Sequence, residues 1–133
     1  MTRKIKGKHA ERLREGYKQL RVMAEYGSSG IWAVGQQGAF RHGAVGYSAL
    51  RLPTSLSRRF EAWIESYDDR LTFSDTVTTT NPAFDSEKFN AEGRLLAQAL
   101  KAHVGPETYV EYLPELPDGG LGLTEVVAGP STM

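Results

Sequence analysis

The chain contains three histidines and no cysteine. Any chemistry it performs therefore falls to His9, His42, His103, its carboxylates and its hydroxyls. Without a thiol there is no disulfide framework, cysteine nucleophile, cysteine-bound zinc or iron–sulfur cluster. The histidines show neither H-x-x-x-H nor H-E-x-x-H spacing, so a histidine-built metal site would need distant segments to converge. Each also has an ordinary role at hand: His9 in a basic segment, His42 in a glycine-rich loop, His103 as a cation at a helix C-terminus. Asp68, Asp69, Asp75 and Asp85, with His42, are the residues from which a divalent-metal hydrolase would be built. The preferred reading has Asp68 and Asp69 ending one helix and Asp85 capping the next. Ser28 and Ser29 lie in a tight glycine turn after a strand, but no G-x-S-x-G elbow surrounds them. The G-x-x-G pieces at 27–30, 35–38 and 43–46 lack the context of a KH loop or a P-loop. No catalytic residue, metal or cofactor is expected.

Binding chemistry is better represented. The 16 basic and 16 acidic residues cancel over 133 positions, but they are not mixed. Residues 1–21 hold eight bases (Arg3, Lys4, Lys6, Lys8, Arg12, Arg14, Lys18, Arg21) against Glu11 and Glu15, a net of +6 that leaves −6 on the remainder. That pattern is a basic arm on an acidic body. The arm is read either as a solvated amphipathic helix folding onto the body or as a nucleic-acid contact through Arg3, Lys4, Lys6, Lys8, Arg12 and Arg14. Tyr26, Trp32, Phe40 and Tyr47 cluster around the glycine-rich segment, where large aromatics either fold back as a small core or form a recognition patch. If they are exposed, an acidic body with an aromatic patch suits a basic protein partner.

The elements that would position these groups follow from periodicity. A short amphipathic helix over 9–20 and a first strand over 20–26 begin the chain. Glycine-rich turns follow, joining extended pieces at 31–34 and 39–41. Pro53 in a first turn precedes Leu56, Phe60, Trp63, Ile64 and Tyr67, a one-sided stripe that predicts a helix over 54–68. Residues 71–79 alternate as an edge strand, in competition with an ordered loop. Asp85 caps a second helix with Phe89, Gly93, Leu96, Leu100 and Val104 on one face, and Gly105-Pro106 ends it. A strand over 108–113, a turn at 117–120 and a last strand over 123–128 complete the order. The expected fold is α/β of the α+β kind: a single-domain two-layer sandwich, a small mixed sheet covered by two main helices, with 1–18 as a basic helical extension and 19–133 as the domain. No run approaches the ~20 apolar residues of a membrane span and no signal peptide is recognisable, so a soluble cytoplasmic protein is expected.

Three stretches carry a family resemblance: Ala24-Glu25-Tyr26-Gly27-Ser28-Ser29-Gly30-Ile31-Trp32; Leu52-Pro53 with Leu56, Arg59-Phe60, Trp63-Ile64 and Tyr67; and Phe84-Asp85 with Phe89-Asn90, Glu92-Gly93, Leu96-Ala97 and Leu100. Over about 24–112 the chain resembles small bacterial proteins similar to the immunity proteins of toxin systems, which bind and block a cognate toxin. The resemblance implies a non-enzymatic inhibitor and supplies no catalytic residue. The candidate contacts are Tyr26, Trp32, Phe40, Asp68, Asp69 and Asp75, facing a basic protein partner. Nucleic-acid binding through the basic arm is the alternative.

Overall fold

The computed structural model of the protein describes residues 17–34, 43–67, 71–73, 78–80, 84–116 and 122–128. The two apolar stripes form helices. Helix α1 (Thr54–Tyr67) turns Leu56, Phe60, Trp63, Ile64 and Tyr67 inward, as a one-sided stripe requires. Helix α2 (Ser86–Val104) buries Phe89, Gly93, Leu96, Ala97 and Leu100. Local chemistry sets both its ends. The Asp85 carboxylate accepts the Lys88 N–H at 3.1 Å, satisfying a donor that the first turn leaves open. Gly105, at φ 92°, leaves the helix with its N–H on the Lys101 carbonyl, a conformation glycine adopts without a Cβ penalty.

The main sheet has the order β3-β2-β1-β6-β7, from β1 (Gln19–Val22), β2 (Ile31–Ala33), β3 (Gly43–Ala44), β6 (Tyr109–Tyr112) and β7 (Glu125–Val126). Only β1 and β6 run parallel; the other pairs are antiparallel, so the sheet is mixed. A separate antiparallel pair joins β4 (Leu71–Phe73) to β5 (Thr78–Thr80). Alternation decides what each face carries. Leu20, Ala33 and Val110 are registered across the sheet, as are Val22, Ile31 and Tyr112, and all six are at most 3% exposed beneath the helices. The intervening row, Ala44, Trp32, Arg21, Glu111 and Val126, lies on the opposite face, helix-free among the described residues. The architecture is the α+β sandwich expected, with one core between sheet and helices.

Two glycines let the layers close. At Gly93 a Cβ would lie 2.6 Å or less from the Tyr112 Oη, Cε1 and Cζ atoms, so the missing side chain is the space in which Tyr112 sits. At Gly30, with φ 83°, a Cβ would come 3.1 Å from Ile64 and 3.2 Å from Trp63.

Several boundaries differ from the sequence reading. Gln19 and Leu20, expected to end a helix over 9–20, are strand residues paired with Tyr109 and Val110; a ladder on both sides of β1 outweighs the local helical spacing. The first strand ends at Val22 rather than residue 26, because Glu25 to Ser28 is a turn in which the Ser28 N–H meets the Glu25 carbonyl at 3.1 Å. The strand over 71–79 is divided into β4 and β5, and the last strand contracts to Glu125–Val126. The expected piece at 39–41, the turn at 117–120 and most of the N-terminal arm lie outside the described residues. No helix among the described residues is long and apolar enough to cross a membrane.

Candidate partner-binding surface

The charges along the helices are ordered, and the packing turns that order into a surface. In α1 the bases Arg58 and Arg59 precede the acids Glu61 and Glu65; in α2 the acid Glu87, after Asp85, precedes Lys101 and His103. The helices lie antiparallel. Arg59 reaches Glu92 at 3.2 Å, the Trp63 ring stacks on Phe89 at 4.7 Å, and Tyr67 lies 5.6 Å from Phe89. The acidic C-terminal half of α1 therefore meets the acidic N-terminus of α2 at one end of the molecule. The sheet delivers its own groups to that end. The β1–β2 turn places Tyr26 against Tyr67, ring centroids 4.7 Å apart, and the chain leaving β6 is tied there by Asn90, whose amide donates to the Glu115 carbonyl at 2.7 Å.

The result is an end carrying exposed Glu25, Glu65, Asp85 and Glu87 around Tyr26 (36% exposed) and half-buried Phe84, which rest on the buried rings of Tyr67 and Phe89. Lys88 and Arg59, the latter paired with Glu92, are cations beside them. A groove of about 480 Å³ opens between the helices here, floored by Trp63, Phe84 and Phe89 and rimmed by Arg59, Lys88 and Glu92. The floor is rigid. The Trp63 indole N–H donates to the Phe89 carbonyl at 3.0 Å, and the Ser66 hydroxyl donates to the Trp63 carbonyl at 2.6 Å. Beneath it the Tyr112 hydroxyl donates to Asn90 Oδ1 at 2.8 Å, and the same oxygen accepts the Glu115 N–H at 2.9 Å. Burial holds the Tyr112 phenol well above its ordinary pKa, so it remains a neutral donor. Burial, with Glu61 nearby, likewise pushes Tyr47 up to about 12. At the flank, the hydrogen bond from Arg94 holds Glu125 below the ordinary carboxylate value, and the same bond raises the Arg94 guanidinium.

The sequence-derived contacts are distributed unevenly. Tyr26 belongs to the acidic end. Trp32 sits half-buried on the helix-free face, its indole donating to the Met23 carbonyl at 2.9 Å, so Tyr26 and Trp32 address different layers. Phe40, Asp68, Asp69, Asp75, His9, His42 and the arm residues Arg3, Lys4, Lys6, Lys8, Arg12 and Arg14 lie outside the described residues. Asp85 is a helix cap, and His103 Nε2 lies 2.7 Å from the Leu50 carbonyl. Ser28 and Ser29 are turn-holders: Ser28 donates to Glu25 and accepts from the Gly30 N–H, while Ser29 bonds to the Ile31 backbone. Tyr47, the fourth aromatic of the glycine-rich region, reaches the Ser29 carbonyl at 2.8 Å. Among the described residues no group of three or more histidines and carboxylates is arranged to hold a metal ion. Sequence reasoning missed Glu25, Glu65, Phe84 and Glu87. The available signal was the reversed order of charge along the two helices, which becomes spatial once they are taken as antiparallel.

The profile of the Serratia CdiI immunity protein-like family matches residues 18–115, and the chain belongs to that family. Comparison with curated proteins gives no match.

Proposed function

We propose that, as a member of this immunity-protein-like family, the chain is a non-enzymatic inhibitor that binds a cognate toxin and blocks it by occlusion. The domain over 19–133 would be the binding unit and residues 1–18 an extension of it. The observation that carries the reading is the acidic end, where two antiparallel helices and the β1–β2 turn combine like charges around aromatic groups. The contact takes Tyr26, Phe84, Glu25, Glu65 and Glu87 as its centre. Asp68 and Asp69, which follow Tyr67 directly in sequence, extend it, with Phe40 and Asp75 as further contacts. Trp32 acts from behind, holding the β1–β2 hairpin that presents Tyr26. The partner's matching face is basic, because complementary fields steer encounter and aromatic anchors retain the complex. An interface of standard size, roughly 800 Å² and 20–30 residues on each side, fits on a domain this small.

The test is charge reversal. Glu65→Lys with Glu87→Lys should weaken binding to the cognate toxin by tenfold or more and abolish protection of toxin-exposed cells. Arg51→Glu, at the opposite end beside the Leu50 carbonyl that His103 meets, should leave both intact. Equal binding by the acidic-end double variant would remove the proposed surface. A folded chain that does not bind the toxin at all would remove the inhibitor reading.

A further inference from the structure

The groove between the helices is built by one repeated spacing. Helix α1 turns Arg59, Ala62, Trp63 and Ser66 to it, and α2 with its cap turns Asp85, Lys88, Phe89 and Glu92; each set falls at i, i+3, i+4 and i+7, the positions that share one helix face. In each set the ring at the third position goes down. Trp63 and Phe89 are buried and stacked, 4.7 Å apart at 14°, and Phe84, just before α2, lies 5.4 Å from Phe89 at 51°. The walls are unequal. On α2 they are the long chains of Lys88 and Glu92, whereas on α1 Ala62 and Ser66, both exposed, keep the wall low. A space of about 480 Å³ is left open above the aromatic floor, large enough to take a side chain from outside.

Charge decides what fits there. At the rim Arg59 is closed on Glu92, its Nη2 lying 3.2 Å from one carboxylate oxygen and 3.3 Å from the other. Asp85 already accepts the Lys88 N–H, so two cations and two carboxylates cancel around the opening. An entering lysine or arginine would meet Arg59 and Lys88, and an entering carboxylate would lie on ring faces whose quadrupole is negative. A neutral aromatic ring meets neither objection: it stacks offset on the floor or edge-on to Phe84. Immediately outside, the sign changes. Exposed Glu65 adjoins Ser66 on one wall and exposed Glu87 adjoins Lys88 on the other, so the groove is neutral within and acidic on either side.

We infer that this groove seats one aromatic side chain of the toxin, presented by a segment with basic residues on both sides of it. The inference deepens the inhibitor reading and rests on it. The ring lies over Trp63 and Phe89 and against Phe84, while the flanking bases pair with Glu65 and Glu87. Because the Trp63 indole is fixed on the Phe89 carbonyl, the seat is formed before the ring arrives. The two sets of contacts act at different stages: exposed acids steer encounter and set the association rate, and a desolvated anchor sets the dissociation rate.

The test is the kinetics of cognate toxin binding to the full chain by surface plasmon resonance. Ala62→Trp fills the groove from an exposed position. It should weaken binding at least about thirtyfold, the least that a hot-spot anchor is worth, and do so through faster dissociation. Ala62→Ser, which leaves the groove open, should bind as the parent does, and both variants should melt within a few degrees of it. Glu65→Lys with Glu87→Lys should instead slow association. A second readout needs no substitution: on adding toxin the Trp63 indole N–H resonance should shift, while that of Trp32, on the opposite face of the sheet, stays in place. Alanine at each exposed Phe, Tyr and Trp of the toxin should reveal one ring whose loss adds nothing in the Ala62→Trp background. Parent-like binding by Ala62→Trp, or an unmoved Trp63 resonance, would overturn the inference; if the charge reversals still weaken binding, the acidic surface stands without it. A toxin hot spot consisting of lysine or arginine alone would overturn the aromatic occupant. A folded chain that binds no toxin would remove both readings.

Discussion

Gly93→Ala tests whether the layers are packed as described, because the substitution adds one methyl group at a position where helix propensity alone favours it. In an unconstrained helix interior the change would stabilise by roughly 1 kcal/mol. Here the new Cβ would come 2.6 Å or less from three atoms of the Tyr112 ring and hydroxyl. Tyr112 is 1% exposed and is held by Asn90 on one side and by Arg94, 5.6 Å above its ring, on the other. Overpacking at such a site costs about 1–3 kcal/mol, and displacing the hydroxyl from Asn90 costs about 1 kcal/mol more. Set against the propensity gain, the net destabilisation is about 1–3 kcal/mol. Urea unfolding followed by circular dichroism measures it directly, and the melting temperature should fall by roughly 3–4 °C per kcal/mol for a chain of this length. In a Tyr112→Leu background the side chain ends short of the clashing atoms, and the same Gly93→Ala change should become neutral or stabilising. A Gly93→Ala protein as stable as its parent, or an equal loss in both backgrounds, would refute the reasoning.

Gly30→Ala should destabilise by about 1–3 kcal/mol in the same assay, since it places an L side chain at φ 83° against Ile64 and Trp63. Asp85→Ala should cost about 1 kcal/mol by removing the cap on Lys88 N–H, with fraying of the first turn of α2 visible in amide exchange. The Arg94–Glu125 pair links α2 to β7 at 2.8 Å, with both side chains over 40% exposed, so its contribution is limited to about 0.2–1 kcal/mol. The folded carboxyl of Glu125 titrates below its ordinary value of 4.5. The contribution is therefore present above that value and is lost as pH falls through the lower folded pKa. The stability difference between the parent and Glu125→Gln should accordingly be constant at neutral pH and disappear as pH falls through the lowered folded value.

How legible the fold was depended on the range of the interactions. Both helices could be read from their stripes because the inward residues Phe60, Trp63 and Ile64, or Phe89, Leu96 and Leu100, lie within a few turns of one another. The Asp85 and Gly105 boundaries are likewise local chemistry, and both are present. The strands were harder. Whether Leu20 ends a helix or pairs in a ladder depends on Ala33 and Val110, far away in sequence, and a local period carries no information about them. The site was legible in character but only partly in membership. Tyr26 could be chosen because it stands in a glycine turn. Glu65, Phe84 and Glu87 join it only because α1 and α2 pack antiparallel. Trp32 looked equivalent to Tyr26 in sequence and is not, because alternation along β2 sends it to the helix-free face.

The central claim is that one end of this molecule is the toxin-facing end. Hydrogen exchange of the chain, alone and in complex with its cognate toxin, tests it most directly. The account predicts new protection confined to the β1–β2 turn around residues 24–29, the last turn of α1 and the first turns of α2, with the opposite end, where His103 meets the Leu50 carbonyl beside Arg51, unchanged. Protection concentrated instead on the helix-free face around Arg21, Trp32 and Glu111, or on that opposite end, would contradict it.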